Sequence, residues 1–279
     1  MAIPGCFCVL NNLSGIFPGT CNFYGESAVL ALSNYFKTTY MNKSRAFLSL
    51  IVICVLALGA NAQAVKGNGN VVKQERPAGS FDEIQSYGSF DIVITDGEAH
   101  KVTVEAEENL QQFITIETSG DNLIIRHKKG ENFRATERMI IHVTAPALEA
   151  VKLSGSGNVK GTNVISGSNK FEIKSSGSGN INLEVETSEM SASISGSGNI
   201  TLKGRTKELE SSIAGSGNIR ARELQSAITS VKISGSGSAE VVATEKLDSK
   251  IAGSGDIRYW GNASVNSKVA GSGSVRRGN

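Results

Sequence analysis

Beyond residue 54 this 279-residue chain has no cysteine; its four are Cys6, Cys8, Cys21 and Cys54. Everything after that point therefore lacks both disulfides and thiolate chemistry. Histidine is scarce too: His100, His127 and His142 stand singly, without Cys or a second His at metal-ligand spacing, so solvated or structural roles are expected. Helix signals are almost absent, and Thr244 to Asp248 is at most a short turn. No Gly-Lys-Ser/Thr follows a glycine-rich stretch, which removes the phosphate loop. The net charge is only +2 with no basic patch or charge run, arguing against nucleic acid or a membrane surface as partner. No cofactor is expected.

The first 62 residues differ from the rest. Residues 1–40 hold three of the cysteines and few charges and show no usable periodicity. At Met41 an export signal begins, with Lys43 and Arg45 as its positive region and Ala46 to Leu58 as its apolar run. Ala60-Asn61-Ala62 is a cleavage site, and the apolar run is too short to span a bilayer comfortably. The expectation is a start at Met41, an upstream over-extension over 1–40, and a signal peptide over 41–62. A genuine extension is the alternative. Leu50-Ile51-Val52-Ile53 before Cys54 lacks the small residues of a lipoprotein signal, so no lipid anchor is expected. Cleavage would leave 25 basic and 25 acidic side chains and place the protein in the periplasm, on the outer surface or outside the cell.

What the chain has in abundance is glycine, 31 residues of it. Seven Gly-Ser-Gly blocks recur, and their glycines are expected to form structural turns. The pairs are Gly155 and Gly157, Gly177 and Gly179, Gly196 and Gly198, Gly215 and Gly217. Gly235 and Gly237, Gly253 and Gly255, Gly271 and Gly273 complete the set. At both positions of a block, glycine would permit positive φ or a close backbone approach. The spacing of about 20 residues is the mark of a solenoid. On both sides the residues alternate, as in Leu209, Ser211, Ile213 before one block and Ile200, Leu202 after another. That pattern reads as strand, tight turn, strand; a coil of about 20 residues with two strands is the expectation, and two repeats per coil is the alternative. Two short strands cannot bury an apolar row alone, so the repeats must stack. Inward Ser and Ala beside Ile and Leu predict a narrow interior. Stacking in register would align Asn158, Asn180, Asn199 and Asn218 into a polar ladder bonded along the axis. A ligand-binding stripe is the alternative reading of that column.

Residues 63–78 read as a linker and 79–150 as a strand-rich, less regular opening of the same solenoid, which caps one end; the repeats fill 151–279. Strands are expected at Phe90 to Ile94, Val102 to Val104, Phe113 to Ile116, Leu123 to Ile125 and Met139 to Val143. The other end closes with Arg276-Arg277-Gly278-Asn279, charges that discourage edge-to-edge association.

An export signal, then Ser80-Phe81-Asp82-Glu83-Ile84 and Gly88-Ser89-Phe90-Asp91-Ile92, then Gly-Ser-Gly-Asn repeats resembles the head GIN domain family. These are the auto-transporter adhesins common in Bacteroidetes. The resemblance covers about Gly79 to Asn279. It implies an all-β, right-handed β-helix-like solenoid, a role in adhesion and no catalytic residues. The chain departs from the label by stopping right after its last repeat, with no stretch for a membrane barrel.

Other candidate sites have plain structural readings. Gly253-Ser254-Gly255-Asp256 lacks the nine-residue period and recurrent Asp of a calcium-binding roll. Asp91, Asp96, Glu105 and Glu107 are the carboxylates that could serve a glycosidase, but alternation alone places no two of them together. Tyr259 and Trp260, beside Arg258, could stack on a sugar or fill the wider end of the core. Three functions from different classes follow. The first is a non-enzymatic surface protein binding glycan or protein through a polar β-face. The second is an envelope module that self-associates as a homo-oligomer, and the third is a polysaccharide-cleaving β-helix enzyme.

Overall fold

A computed structural model describes residues 64–279 apart from Gly167. The expected export signal and upstream extension lie outside the described residues. Its regular structure is almost entirely strand. In chain order the strands are β1 (Val65–Lys66), β2 (Val71–Arg76), β3 (Glu83–Gly88), β4 (Asp91–Asp96) and β5 (Lys101–Glu107). After a 3-10 turn at Glu108–Phe113 come β6 (Ile114–Ser119), β7 (Asn122–His127), β8 (Phe133–Arg134) and β9 (Ile140–Ala145). The repeat region holds β10 (Ala150–Gly155), β11 (Asn158–Ile165), β12 (Lys170–Gly177), β13 (Asn180–Glu186) and β14 (Glu189–Gly196). Two long strands follow, β15 (Asn199–Gly215) and β16 (Asn218–Gly235), each running from one face to the next coil of the other. The last are β17 (Ser238–Val242), β18 (Lys246–Gly253), β19 (Asp256–Trp260), β20 (Ser264–Gly271) and β21 (Ser274–Arg277).

The repeats stack as parallel coils of a β-solenoid, one Gly-Ser-Gly block per coil. Asn158 aligns with Asn180, Asn180 with Asn199, Asn199 with Asn218, Asn218 with Ser238, Ser238 with Asp256 and Asp256 with Ser274. Two parallel faces result. The first carries β3, β10, β12, β14, the C-terminal halves of β15 and β16, then β18 and β20. The second carries β4, β11, β13, the N-terminal halves of β15 and β16, then β17, β19 and β21.

Because side chains alternate along each strand, in-register stacking builds columns. One inward column runs Ile92, Val159, Ile181, Ile200, Ile219, Ala239, Ile257, and all seven are buried. Another runs Ile84, Val151, Ile173, Ala192, Ser211, Val231, Ser249. The small members keep the two sheets close. The Ser175 and Ser211 hydroxyls are buried with no hydrogen-bond partner among the described residues.

The opening of the solenoid is less regular than the repeats, and its chain path is not sequential. β3 and β4 form a coil, and β10 and β11 stack on one side of it. On the other side lie β7 and β9, so the chain loops out beneath its first coil before climbing back. Antiparallel strands finish that end: β6 lies along β7, β5 along β9, and β2 along β5. The stretch read as a linker is instead part of the fold, since β2 pairs with β5 and β1 with β8. The expected strand start at Phe113 falls in the 3-10 turn, and β6 begins one residue later.

Candidate functional site

The corners set where every outward side chain points. The first glycine of each block has φ between 126° and 141°, a region that side chains with a Cβ rarely enter. Its carbonyl then accepts from the next coil: Gly155 O takes the N–H groups of Ser178 and Gly179 at 3.0 and 3.2 Å.

Of the two expected roles, the second glycine has the close backbone approach and not the positive φ. None of the seven, from Gly157 to Gly273, has a positive φ, so conformational freedom is not what selects glycine there. Lack of room is. A Cβ on Gly157 would strike the Phe90 carbonyl in the coil below. One on Gly217 would lie 2.7 Å from Cγ2 of Ile194, the inward residue packed beneath the corner, and would strike the Gly198 carbonyl. Gly237 and Gly255 meet Ile213 and Ile233 in the same way. At the last corner Gly273 meets Ile251 Cγ2 at 2.9 Å and the Gly255 carbonyl.

An eighth corner precedes the seven. Gly88 aligns with Gly155 and has φ 130°, while Phe90, fully buried, stands where the repeats have their second glycine. The sequence signal for it is Gly88-Ser89-x-Asp91-Ile92, the repeat pattern with one glycine replaced.

Just after the corners lies the Asn column. Asn180 donates from Nδ2 to Asn158 Oδ1 at 2.9 Å, Asn199 to Asn180 at 2.8 Å and Asn218 to Asn199 at 2.9 Å. Asp91 ends the row by accepting from Asn158 at 2.8 Å, and Ser238 continues it by donating to Asn218 at 2.6 Å. Asp256 accepts from the N–H and hydroxyl of Ser274, bonds that hold its carboxyl below the usual range. With amides bonded to amides along the column, its polar groups are largely used within the protein.

Tyr259 and Trp260 lie on β19, with Arg258 pointing outward beside them. Tyr259 packs against the core. The cation over the Trp260 ring is Arg222, its guanidinium 4.7 Å from the ring centroid, rather than Arg258. Arg222 reaches it from an extra residue in β16, where the register slips between Thr201 and Lys203. The longer spacing from Asn218 to Ser238 is the trace of this in the sequence. The Gly278 backbone crosses the indole, and Nε1 donates to the Asn279 carbonyl at 3.3 Å.

The first face is charged in columns. Glu83, Glu172, Glu210 and Asp248 stand near one row, and Lys152, Lys174, Lys232, Lys250 and Lys268 in the next. Ion pairs join the rows: Lys174 to Glu172 at 2.6 Å and Lys232 to Glu210 at 2.9 Å. The Lys152 ammonium, hydrogen-bonded to Glu83, is held above its ordinary range. A groove of about 600 Å³ runs along this face, lined among others by Glu149, Lys170, Glu189, Glu208, Glu210 and Ile228.

The carboxylates weighed for acid–base work are each engaged elsewhere. Asp96 accepts from the Ser166 N–H and hydroxyl at 3.0 and 3.1 Å. Glu105 is held below its usual range by the hydrogen bond from His142 at 2.7 Å and by Lys73 at 3.2 Å. Glu107 is buried, which alone would raise its carboxyl. The Thr136 hydroxyl and the N–H groups of Gly69, Thr136 and Glu137 outweigh that and bring it to about 2. In the sequence it is one carboxylate among four, with nothing to mark it as the buried one. His100 bonds the Phe81 carbonyl at 2.9 Å, and His127 lies against Phe90 and Phe133. Among the described residues no three His, Cys, Asp or Glu converge as a metal site would need.

Comparison with known proteins places this geometry. The family model described as "Putative auto-transporter adhesin, head GIN domain" matches residues 80–263. The chain belongs to the head GIN domain family. A crystal structure of a putative adhesin from Bacteroides fragilis shares the fold, with TM-score 0.74 at 21% identity over 77% of this chain and all of that one. A putative adhesin from Parabacteroides distasonis gives TM-score 0.65 at 29% identity, covering 77% of this chain and all of its own. From the same organism, a protein named a putative lipid binding protein gives 0.65 at 28%, covering 78% of this chain and all of its own. No match was found among curated proteins. Membership in the head GIN domain family thus carries the β-solenoid and an adhesin-type description. The residues that touch a ligand have to come from this chain's own surface.

Proposed function

We propose that this protein is an exported, non-enzymatic adhesin of the cell envelope that binds glycan or protein through its charged β-face. The observation that carries this reading is the first face itself. Along it the acidic row returns at every second coil, with Ala150, Ser191 and Ser230 between. The lysine row runs Lys152, Lys174 and then Lys232, Lys250, Lys268, parted by Ser193 and Ser212, on a scaffold of strands about 4.8 Å apart. Such a surface offers recurring charged and hydroxyl groups to an extended polymer lying along the axis. The second face offers less, because its leading column is bonded to itself and the Trp260 ring is covered by Arg222. The family description as an adhesin supports the same reading.

A binding screen against glycans and envelope components tests it, using the protein as the producing cell delivers it. Saturable binding is expected, and it should be lost when Lys152, Lys174 and Lys232 are changed together to Ala. These side chains point outward, so the fold survives. The Trp260→Phe variant should bind normally. Absence of any saturable ligand, or binding that follows Trp260 and ignores the lysines, would overturn the assignment to this face.

A further inference from the structure

The two ends of the solenoid are built differently. At the end nearer β7 and β9 the chain turns antiparallel, and its outermost strand β2 is charged. Lys73 and Glu75 there are ion-paired with Glu105 and Lys101 at 3.2 and 2.9 Å. At the opposite end, among the described residues, β20 pairs only with β18, and β21 only with β19. No described residue covers the inward side chains of β20. Val265 and Val269 are 39% and 43% exposed, while Leu247 and Ile251, one coil below in the same columns, are at 0% and 1%. This end therefore shows an apolar core section flanked by unpaired N–H and C=O groups, the arrangement that invites strand addition.

We propose that this end is a dimer interface, at which two copies meet tail to tail about a two-fold axis. β20 of one copy pairs antiparallel with β20 of the other, and the two cores become continuous. A second copy fits for three reasons. Head-to-tail stacking would set the open end on the charged antiparallel end, so only like ends match, and the contact closes on itself. Keeping inward residues inward allows only registers that match inward with inward. The register centred on Ser267 uses all of β20 except Gly271 and sets Val265 of one copy opposite Val269 of the other. It also sets Lys268 of one copy opposite Asn266 of the other, with Asp248 next in that column and bonded to Asn266 at 3.1 Å. One feature opposes association: Arg276 and Arg277 of both copies share the rim. Salt screens that repulsion, so this dimer should tighten as ionic strength rises, the reverse of an ion-paired interface. The contact does not depend on the ligand-binding reading, because it lies at the stack end and leaves the Lys152 to Lys232 surface free.

The test is the mass in solution by sedimentation velocity, on the full chain as the producing cell delivers it. A mass of two chains is expected, with the dimer fraction rising with salt. The double variant Val265→Lys, Val269→Lys should sediment as one chain with an unchanged circular dichroism spectrum. Independently, Ser267→Cys in a background with Cys6, Cys8, Cys21 and Cys54 changed to Ser should cross-link to a dimer on oxidation. Ser249→Cys, one coil below, should not. A one-chain mass at every salt and protein concentration would overturn the proposal. So would a dimer that survives the double lysine variant or fails to cross-link through position 267. Should the lysine variant not fold, the cross-link decides alone.

Discussion

Asn199 donates to Asn180 at 2.8 Å and accepts from Asn218 at 2.9 Å, so one side chain joins three successive coils. Each amide in this row uses one donor and one acceptor on its neighbours. Replacing Asn199 by Ala removes both bonds and leaves Asn180 and Asn218 each short of a partner. At about 1 kcal/mol per hydrogen bond, the loss should be about 1–2 kcal/mol, read as a lower urea midpoint. Asn199→Asp should be intermediate, because a carboxylate still accepts from Asn218 but cannot donate to Asn180.

The corner glycines predict a larger effect. A Cβ on Gly217 would sit 2.7 Å from Ile194 Cγ2 and collide with the Gly198 carbonyl, so the coil must shift or open. Gly217→Ala should cost on the order of 3 kcal/mol or more, well beyond the usual effect of a point change. Ser216→Ala, in the same corner, should fall within about 0.5 kcal/mol. Thermal unfolding of the two variants side by side checks the contrast.

Ser211 gives a prediction of opposite sign. Its hydroxyl is buried without a partner among the described residues, and Ala192 occupies the neighbouring position in its column. Ser211→Ala removes an unsatisfied polar group at nearly constant volume, and should raise stability by about 1 kcal/mol. An unchanged or lower denaturation midpoint would show that the hydroxyl is satisfied in solution.

Much of this architecture is written locally. Alternation on both sides of each Gly-Ser-Gly block marks the strands, and recurrence of Asn after it fixes the register, since the same residue type falls at the same height in each coil. The two glycines of a block look alike in sequence yet differ in cause. Gly155 is required both by its own φ and by the Gly88 carbonyl of another coil, whereas Gly157 is required by the Phe90 carbonyl alone, and neither close approach is stated by a local pattern. The opening is different again because its pairings are long-range. Asp91 meets Asn158 across 67 positions, and the residues between them pass beneath the coil to which Asp91 belongs. Nothing in the alternation of β7 or β9 states which side of β3 and β4 they join. Residues 65–76 carry too many charges to read as strand, yet antiparallel pairing with β5 at an edge tolerates outward Lys73 and Glu75. The same holds for Arg222, whose position over Trp260 depends on a bulge and on contact between separate coils.

Glu107 makes the opening sensitive to acid. Its carboxyl titrates near 2 in the folded protein against 4.5 ordinarily, so the folded state binds the anion's partners more favourably than the unfolded chain can. A depressed folded value means the stabilisation is complete above about 4.5 and is lost as pH falls through about 2. Glu107→Gln should therefore flatten the fall in stability between those values, while lowering stability at neutral pH. Hydrogen exchange at the Gly69 and Thr136 amides, which bond this carboxylate, should quicken in the variant.

Trp260 is the only tryptophan in the chain, so its fluorescence reports on one place. With the Arg222 guanidinium 4.7 Å from the ring centroid, one side of the indole is shielded. Arg222→Ala uncovers that side and removes a cation–π contact of about 0.5–1 kcal/mol. The emission should move to longer wavelength, and quenching by neutral acrylamide should increase. Arg222→Lys keeps the charge but not the planar group, and should lie between the two. Arg258→Ala is the control, since Arg258 lies in β19 itself and is not the cation over the ring; it should leave both readings as they are. If Arg258→Ala shifts the emission and Arg222→Ala does not, the cation over the ring is the one next to it in sequence, and the bulge in β16 has another purpose.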